Sequence, residues 1–374
     1  MSTRMARNLG ILALTVIALG AITTLGLDPQ SGDWTLRKSD VQGKVHFSLI
    51  RDSVGGGNFQ SSSDWPLDQF QGLDAAPSAR HNVKFTVARE AGRFECEGFL
   101  ENGEGAGLFH FLPNPQFVEQ MKALGFGGID GDKLMAAAIH DVTVEFAREM
   151  QAEHITGLDT DKLIAFRIFG VTRQFIEGLR SSGLNVTDSD KLVAFRIHGV
   201  TPEMVRTLHQ AGYTPDEDQL IAMRIHGATP EWIAALAKVG YQHIDLDQLI
   251  AFRIHGVSPE FIGKLEELGY KHLEGDQLTA MRIHGATTEW IEALGRVGYD
   301  HIEPDQLIAF RIHGVSPEFI GKIQELGYKH PDADQLIAMR IHGVTPEYIA
   351  KLQSQGMHNL SADQLINLRI HGID

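Results

Sequence analysis

Apolar and polar positions along this chain follow two rhythms. Beyond Asn114, a run such as Leu249, Ile250, Ala251, Phe252, Arg253, Ile254, His255 leads to Gly256, and then to Val257, Ser258, Pro259, Glu260, Phe261, Ile262; the same order returns about every 29 residues. Each half of that unit has the 3.6-residue spacing of an amphipathic helix. Between residues 32 and 113 apolar residues instead alternate with polar ones, the period-two pattern of strands.

The repeat carries its own start and stop signals. Asp245 precedes one helical run as an N-cap with Gln248 three residues on, and Gly256 is placed to end that run in the left-handed conformation. This is helix B. Ser258 caps the next run, Pro259 sits at its first turn, Val257 is placed to staple onto Ile262, and Gly269 ends it. This is helix A, with Phe261, Ile262, Leu265 and Leu268 toward a core and Glu260, Lys264 and Glu267 mostly away from it. Helix B is apolar over a wider arc, so it is expected to be the better buried. A helix of about ten residues spans roughly 15 Å and is too short to stand alone, so stability must come from stacking on neighbours.

Counting Gly-terminated B segments from Ile139-His140 to Ile370-His371 predicts nine A–B pairs, the first A helix starting at Asn114-Pro115. Met223 and Phe252 alternate with Met281 and Phe310, and Trp232 and Phe261 with Trp290 and Phe319, which points to a two-unit duplication whose large residues fit layer to layer. In the first unit Ala137 and Ala138 replace the usual Phe/Met-Arg pair and Asp141 replaces Gly; in the last, Asn367 replaces Ala. Such changes suit terminal units that face solvent or another domain.

Strands are predicted at 34–38, 45–50, 83–87, 94–100 and 108–112, joined by turns such as Gly55-Gly56-Gly57-Asn58 and Glu101-Asn102-Gly103. The stretch Ser61-Ser62-Ser63-Asp64-Trp65 followed by residues 67–73 reads as a long loop or short helix. The fold class is therefore α+β: an antiparallel β domain over 32–113, a meander sheet or sandwich, followed by an α-solenoid over 114–374. With almost no linker at Asn114-Pro115, the β domain is expected to cap the open end of the helical stack.

Composition changes the picture in two places. A net charge of −15 over 374 residues argues against nucleic acid or anionic lipid as the main partner. Arg4 and Arg7 precede an uncharged apolar run at 9–27, ended by Asp28, which reads as an export signal, either cleaved or kept as a single membrane anchor. Residues 1–27 are then the only route to a membrane, and the rest of the chain is placed outside the cytoplasm. The one cysteine, Cys96, shares a face with Phe94 and reads as a buried thiol, so export does not depend on disulfides.

The repeated polar rows invite chemistry. His198, His226, His255, His284, His313, His342 and His371 share one position, but stacked helices stand about 8–10 Å apart while zinc needs ligands within about 2.1 Å, so one row makes no chelate. Phe169 at the same position speaks for packing. Arg167, Arg196, Arg224, Arg253, Arg282, Arg311, Arg340 and Arg369 read as a ladder of Arg–carboxylate bonds with glutamates such as Glu260 and Glu318. Paired aspartates such as Asp245 and Asp247 read as helix-start signals. Metallopeptidase, nucleophile-elbow, phosphate-loop and dinucleotide motifs are missing, so no enzyme activity, cofactor or metal is assigned. Specificity is expected on the less regular surface: on the outward side of helix A at Lys264, Glu267, Glu292, Arg296, Lys322 and Glu325, and in the A-to-B loops at His243, His272, His301 and His330.

The segments Leu368-Arg369-Ile370-His371-Gly372 and Arg340-Ile341-His342-Gly343-Val344-Thr345-Pro346-Glu347-Tyr348-Ile349, with the β region ahead of them, resemble the helical repeats appended to some bacterial membrane metallopeptidases of the β-lactam-sensor, antirepressor type. The zinc-binding His-Glu-x-x-His and the multi-span membrane part of those proteins are not in this sequence. The resemblance implies an extracytoplasmic accessory or sensor region. The function expected is a non-enzymatic scaffold binding a protein or peptide, the alternative a membrane-anchored sensor or regulatory component of an envelope signalling system.

Overall fold

The structure, a computed structural model, describes residues 29–52, 58–76 and 78–373. The apolar run at 9–27 and the glycines at 55–57 lie outside them. Contacts divide the chain into two units, one ending at Pro202 and one beginning at Glu203.

The first unit opens with strands β1 (Gln30–Lys38), β2 (Lys44–Asp52), β3 (Asn58–Pro66), β4 (Phe70–Gln71), β5 (His81–Arg89), β6 (Gly92–Glu101) and β7 (Glu104–Pro113). They form one antiparallel sheet in the order β3-β2-β1-β7-β6-β5-β4. Alternation decides the faces: Trp34, Leu36, Phe47, Leu49, Val83, Phe85, Val87, Phe94 and Phe109 are buried on one side, while neighbours such as Lys84, Glu95 and Glu97 are exposed.

That sheet is curled. β2 and β4 stand five strand steps apart, roughly 24 Å across a flat sheet, yet the Phe47 and Phe70 rings meet edge to face with centroids 5.1 Å apart. β3 and β4, the two edges, are joined by a single 3₁₀ turn at Leu67–Gln69. The enclosed core is aromatic: Trp34 packs edge-on to Phe85 at 5.0 Å and Phe94 tilts onto Phe111 at 4.9 Å, contacts worth about 0.5–1.5 kcal/mol each beyond their burial.

Of the stretch expected as a long loop or short helix, 61–65 is instead part of the edge strand β3, paired with β2 from Asp52↔Asn58 to Lys44↔Pro66, and a short 3₁₀ turn follows at Leu67–Gln69. The serines of β3 hide the alternation. They pair through hydroxyls rather than apolar contact: Ser62 Oγ meets Ser48 Oγ at 2.7 Å, and the His46 ring bonds both Ser62 and Asp64 at 2.7 and 2.9 Å.

Helices follow without a linker. Asn114 Oδ1 accepts the Gln116 N–H at 3.1 Å, while its Nδ2 donates to Glu90 O at 2.7 Å, so one side chain caps the first A helix and ties it to the β5–β6 turn. Glu90 in turn accepts the Val144 N–H at 2.8 Å at the start of the second A helix. Arg51 and Gln30 both reach Asp132 on the first B helix at 2.9 Å. Ala137 and Ala138 on that helix, which packs on β6 and β7, are fully buried. Here the shrunken first unit lets a sheet approach where other repeats carry a large residue and an arginine.

Eighteen helices of nine or ten residues make up the repeat region as nine A–B pairs. The predicted signals are in place: Asp245 accepts the Gln248 N–H at 2.8 Å, Ser258 the Phe261 N–H at 3.2 Å, and Gly256 takes φ 74°. Met223, Phe252, Met281, Phe310 and Met339 are all buried completely, which accounts for their alternation as layer-to-layer packing. One expectation is corrected. Helix A buries Phe261, Ile262 and Leu265, whereas helix B at Leu246–His255 buries only Leu249 and Phe252. Among the described residues no helix is long and apolar enough to cross a membrane.

One close approach in the β domain is at Gly98, which faces Gly107 across β6 and β7. A Cβ there would meet Ala106 O at 2.3 Å and Trp34 Cζ2 at 2.7 Å. Gly98→Val should therefore destabilise the β domain by about 1–3 kcal/mol. Urea unfolding followed by tryptophan fluorescence checks this, and an unchanged midpoint counts against the packing described.

Candidate functional site

The arginine row is bonded differently from the expectation. Within the second unit the Arg253 Nε donates to the His226 carbonyl oxygen at 3.0 Å, Arg282 to His255 O at 3.3 Å, Arg311 to His284 O at 3.1 Å and Arg340 to His313 O at 3.4 Å. Each guanidinium also lies over an aromatic ring of helix A: Arg253 over Trp232 at 5.1 Å, Arg282 over Phe261 at 4.9 Å, Arg311 over Trp290 at 5.1 Å. The first unit repeats this with Arg167 on His140 O and Phe146, and Arg196 on Phe169 O and Phe175.

These are arginine–carbonyl rungs stacked on rings, not the predicted arginine–carboxylate ladder. The cation meets the negative end of a helix, where the last carbonyls lack partners inside the helix. Glu260 and Glu318 turn elsewhere, toward Ser258 and Ser316 and their own backbone N–H groups, bonds that hold both carboxyls below the usual range. Arg167 also meets a carboxylate, Asp141 at 3.2 Å, whose other oxygen is 3.7 Å from Arg89 of β5.

This geometry accounts for the arginine, the glycine and the residue before the glycine in the motif. The capping glycine needs φ near +74°, and a Cβ on Gly256 would also stand 2.9 Å from the Arg282 guanidinium. The residue before it serves through its backbone carbonyl, so Phe169 does the work of a histidine. The aromatic of helix A is a platform for the cation as well as core.

The aspartate pairs divide two tasks. Asp245 caps its helix, while Asp247 Oδ1 accepts from Gln219 Nε2 of the preceding repeat at 3.0 Å; Asp305, Asp334 and Asp363 repeat this with Gln277, Gln306 and Gln335. In the first unit lysine stands at the glutamine position: Lys133 bonds Asp161 at 2.8 Å, and Lys162 bonds Asp190. Tyrosines add a third row, Tyr241 donating to Leu273 O at 2.8 Å and Tyr270 to Ile302 O at 2.9 Å.

Of the residues assigned to specificity, Lys264, Glu267, Glu292, Arg296, Lys322 and Glu325 are all exposed on helix A. Lys264 approaches Glu289 at 3.6 Å, an exposed pair of little energetic weight. His243 and His272 take left-handed φ of 58° and 55°, a backbone role that histidine tolerates, while His301 and His330 do not adopt it. His243 also borders a mostly apolar groove of about 350 Å³ between two A helices, lined by Leu208, Ala211, Ile233 and Ala237. At positions equivalent to Ala237, Gln324 and Gln353 reach back to Val297 O and Leu326 O. A larger, open groove of about 650 Å³ crosses the outer face of the β domain beside Thr35, Phe99, Ala106 and Leu108, rimmed by the Lys84–Glu97 pair. Among the described residues no three His, Cys, Asp or Glu side chains are placed to share a metal ion. Cys96 is buried in the β core, which pushes its thiol far above the usual range.

The feature that sequence reasoning missed is a row of isoleucines. Ile168, Ile197, Ile225, Ile254, Ile283, Ile312, Ile341 and Ile370, each following the ladder arginine, are 49, 53, 54, 51, 54, 53, 54 and 52 % exposed. At about 100° per residue, Ile254 lies roughly 140° from Leu249 and 160° from Phe252 around helix B, away from both core anchors. A helical wheel centred on those two anchors would have shown it. Leaving such side chains half in water forgoes about 1 kcal/mol each relative to burial.

Comparison with protein-family models and with characterised proteins finds no match.

Two predictions follow the polar geometry. In a double-mutant cycle, Arg282→Lys and Phe261→Leu should each destabilise, with a coupling of about 0.5–1 kcal/mol in denaturant melts; additive effects would mean that the stack contributes nothing. Burial and the neighbouring Arg167 charge hold His140 below its usual range. Because the unfolded chain then binds the proton more readily, stability conferred by His140 is full above about pH 6.5 and falls as pH drops through it. His140→Gln should flatten that part of the stability profile between about pH 7 and 5.5.

Proposed function

We propose that this protein is a non-enzymatic repeat scaffold that acts outside the cytoplasm and binds a protein or peptide along its repeats. The supporting observation is the isoleucine row. The recurring Arg, Gln, Asp and Tyr rows have bonds inside the fold, while a half-exposed apolar side chain at one fixed position of every helix B from Ile168 onward has no such use. Exposed apolar surface that recurs in register marks an interaction face. The extracytoplasmic part rests on Arg4, Arg7 and the uncharged run at 9–27.

The length of that run also favours a second reading, a sensor or regulatory component kept at the membrane, in line with the resemblance to repeats of sensor-type metallopeptidases. About 20 apolar residues span a bilayer. Sequencing the N-terminus of the native protein separates the two: a chain starting near Ala21 or later removes the anchor.

The scaffold reading is tested by photo-crosslinking amino acids placed at Ile254, Ile283 and Ile312, with Lys264 and Lys322 of helix A as comparison sites. A discrete adduct in native envelopes is expected from the isoleucine sites. Replacing the three isoleucines by serine should change stability by less than about 0.5 kcal/mol each while removing partner capture. Capture unaltered by these replacements would overturn the assignment of the face.

A further inference from the structure

We infer that the B-helix face of the second unit is a channel for an extended, cationic polypeptide carrying an apolar side chain at every third residue. This rests on the scaffold reading and specifies its ligand chemistry. Six half-exposed isoleucines, from Ile225 to Ile370, run along this face, and the residue one turn earlier, such as Ile250 or Ile308, is itself only partly covered. Successive B helices of this unit touch more extensively than successive A helices do. Layers that are tight on one side and loose on the other bend, with the tight side inward, so the isoleucine row lies on the inner side of the bend. Two such inner faces do not fit each other, which disfavours a second copy as the occupant.

The spacing then selects the conformation. Packed helices stand about 8–10 Å apart. Three residues of a polyproline-type chain advance about 9.3 Å, whereas two residues of a strand advance only about 6.6 Å and fall out of step within a few repeats. A helical ligand needs six or seven residues per repeat, so that spanning six repeats takes a straight helix of about 40 residues, at odds with a bent channel.

Charge selects the sign. At seven residues, or about 10 Å, toward the N-terminal end of each B helix from its isoleucine, exposed Asp247, Asp276, Asp305, Asp334 and Asp363 line one edge of the same face. Where the first unit neutralises Asp161 and Asp190 with lysines, the second offers four of these aspartates glutamine amides, which hold the carboxylates in place and leave their charge. The guanidiniums at the other edge are engaged by rings and carbonyls. A chain with apolar residues on the isoleucines and lysine or arginine toward the aspartates satisfies both rows.

The probe is a fluorescent peptide of Leu-Lys-Pro repeated six times, titrated into the full chain by anisotropy. It is compared with an isomer of the same composition, in which leucine alternates with lysine and the prolines are collected at one end, and with Leu-Glu-Pro repeated six times. The period-three basic peptide should bind at least about tenfold more tightly than either. Ile254→Ser, Ile283→Ser and Ile312→Ser together should weaken it about tenfold or more with helix content by circular dichroism unchanged. Asp276→Asn, Asp305→Asn and Asp334→Asn together should lower its salt dependence. Equal binding of the isomer, or indifference to the isoleucine replacements, overturns the inference as unspecific charge attraction. Concentration-dependent self-association abolished by the same replacements overturns it in favour of a second copy. If no peptide binds but Ile254 still crosslinks a partner, the ligand chemistry is wrong and the scaffold reading stands; loss of both removes the scaffold reading as well.

Discussion

The helical region depends on one repeated contact, in which an arginine of one helix B is held between an aromatic ring of the adjoining helix A and the last carbonyl of the preceding helix B. Short helices have weak reasons to exist alone, and their free C-terminal carbonyls are a liability. The guanidinium answers both problems, since it occupies the carbonyl and gives each layer a fixed docking point on the one before it. Because Arg282 fits over Gly256 without room for a Cβ, the glycine that stops one helix also admits the cation of the next.

From this contact comes the separation of structure from function in the repeat. A motif as regular as Arg-Ile-His-Gly suggests a regular chemistry, and most of its letters are consumed in the stack. Arginine, glycine, the carbonyl of the histidine position, the ring of helix A and both aspartates have bonds that the fold needs. Isoleucine does not. It keeps its place at the edge of the ladder, facing away from Leu249 and Phe252, and its repetition within the second unit turns a packing motif into an apolar row.

The β domain solves a different problem. A curled sheet brings its two edge strands together through the turn at Leu67–Gln69 and fills its interior with rings, and the same body covers the first repeat. Asp132, Asp141 and Glu90 are the polar joints of that junction. Asp141 shows the economy of the arrangement: it takes a left-handed φ of 56° where later repeats have glycine, and offers its carboxylate to Arg167 of the next layer and Arg89 of the sheet.

The fold class, the nine helical pairs, the caps and the period are legible in the chain alone, because these rest on local rules: a side chain capping its own helix, a glycine ending it, an apolar stripe at helical spacing. Strand β3 was illegible for the same reason, since Gln60 through Asp64 are all polar and leave no apolar trace along the chain, while Ser62 and Asp64 find their partners on the neighbouring strand. Spacing alone marks the aspartate rows as helix-start signals, which Asp245 is, whereas Asp247 bonds Gln219 of the preceding repeat. What only the tertiary structure decided was the partner of each repeated polar group and the fate of each apolar one. Arg253 was as compatible with Glu260 as with the His226 carbonyl until the layers were stacked. Ile254 is one of several apolar residues in the wide arc of helix B, and only the positions of Leu249 and Phe252 show which of them face the core. Contacts between residues 27 or 28 apart are set by how one layer rests on the next, and that relation is a property of the stack, not of any single repeat.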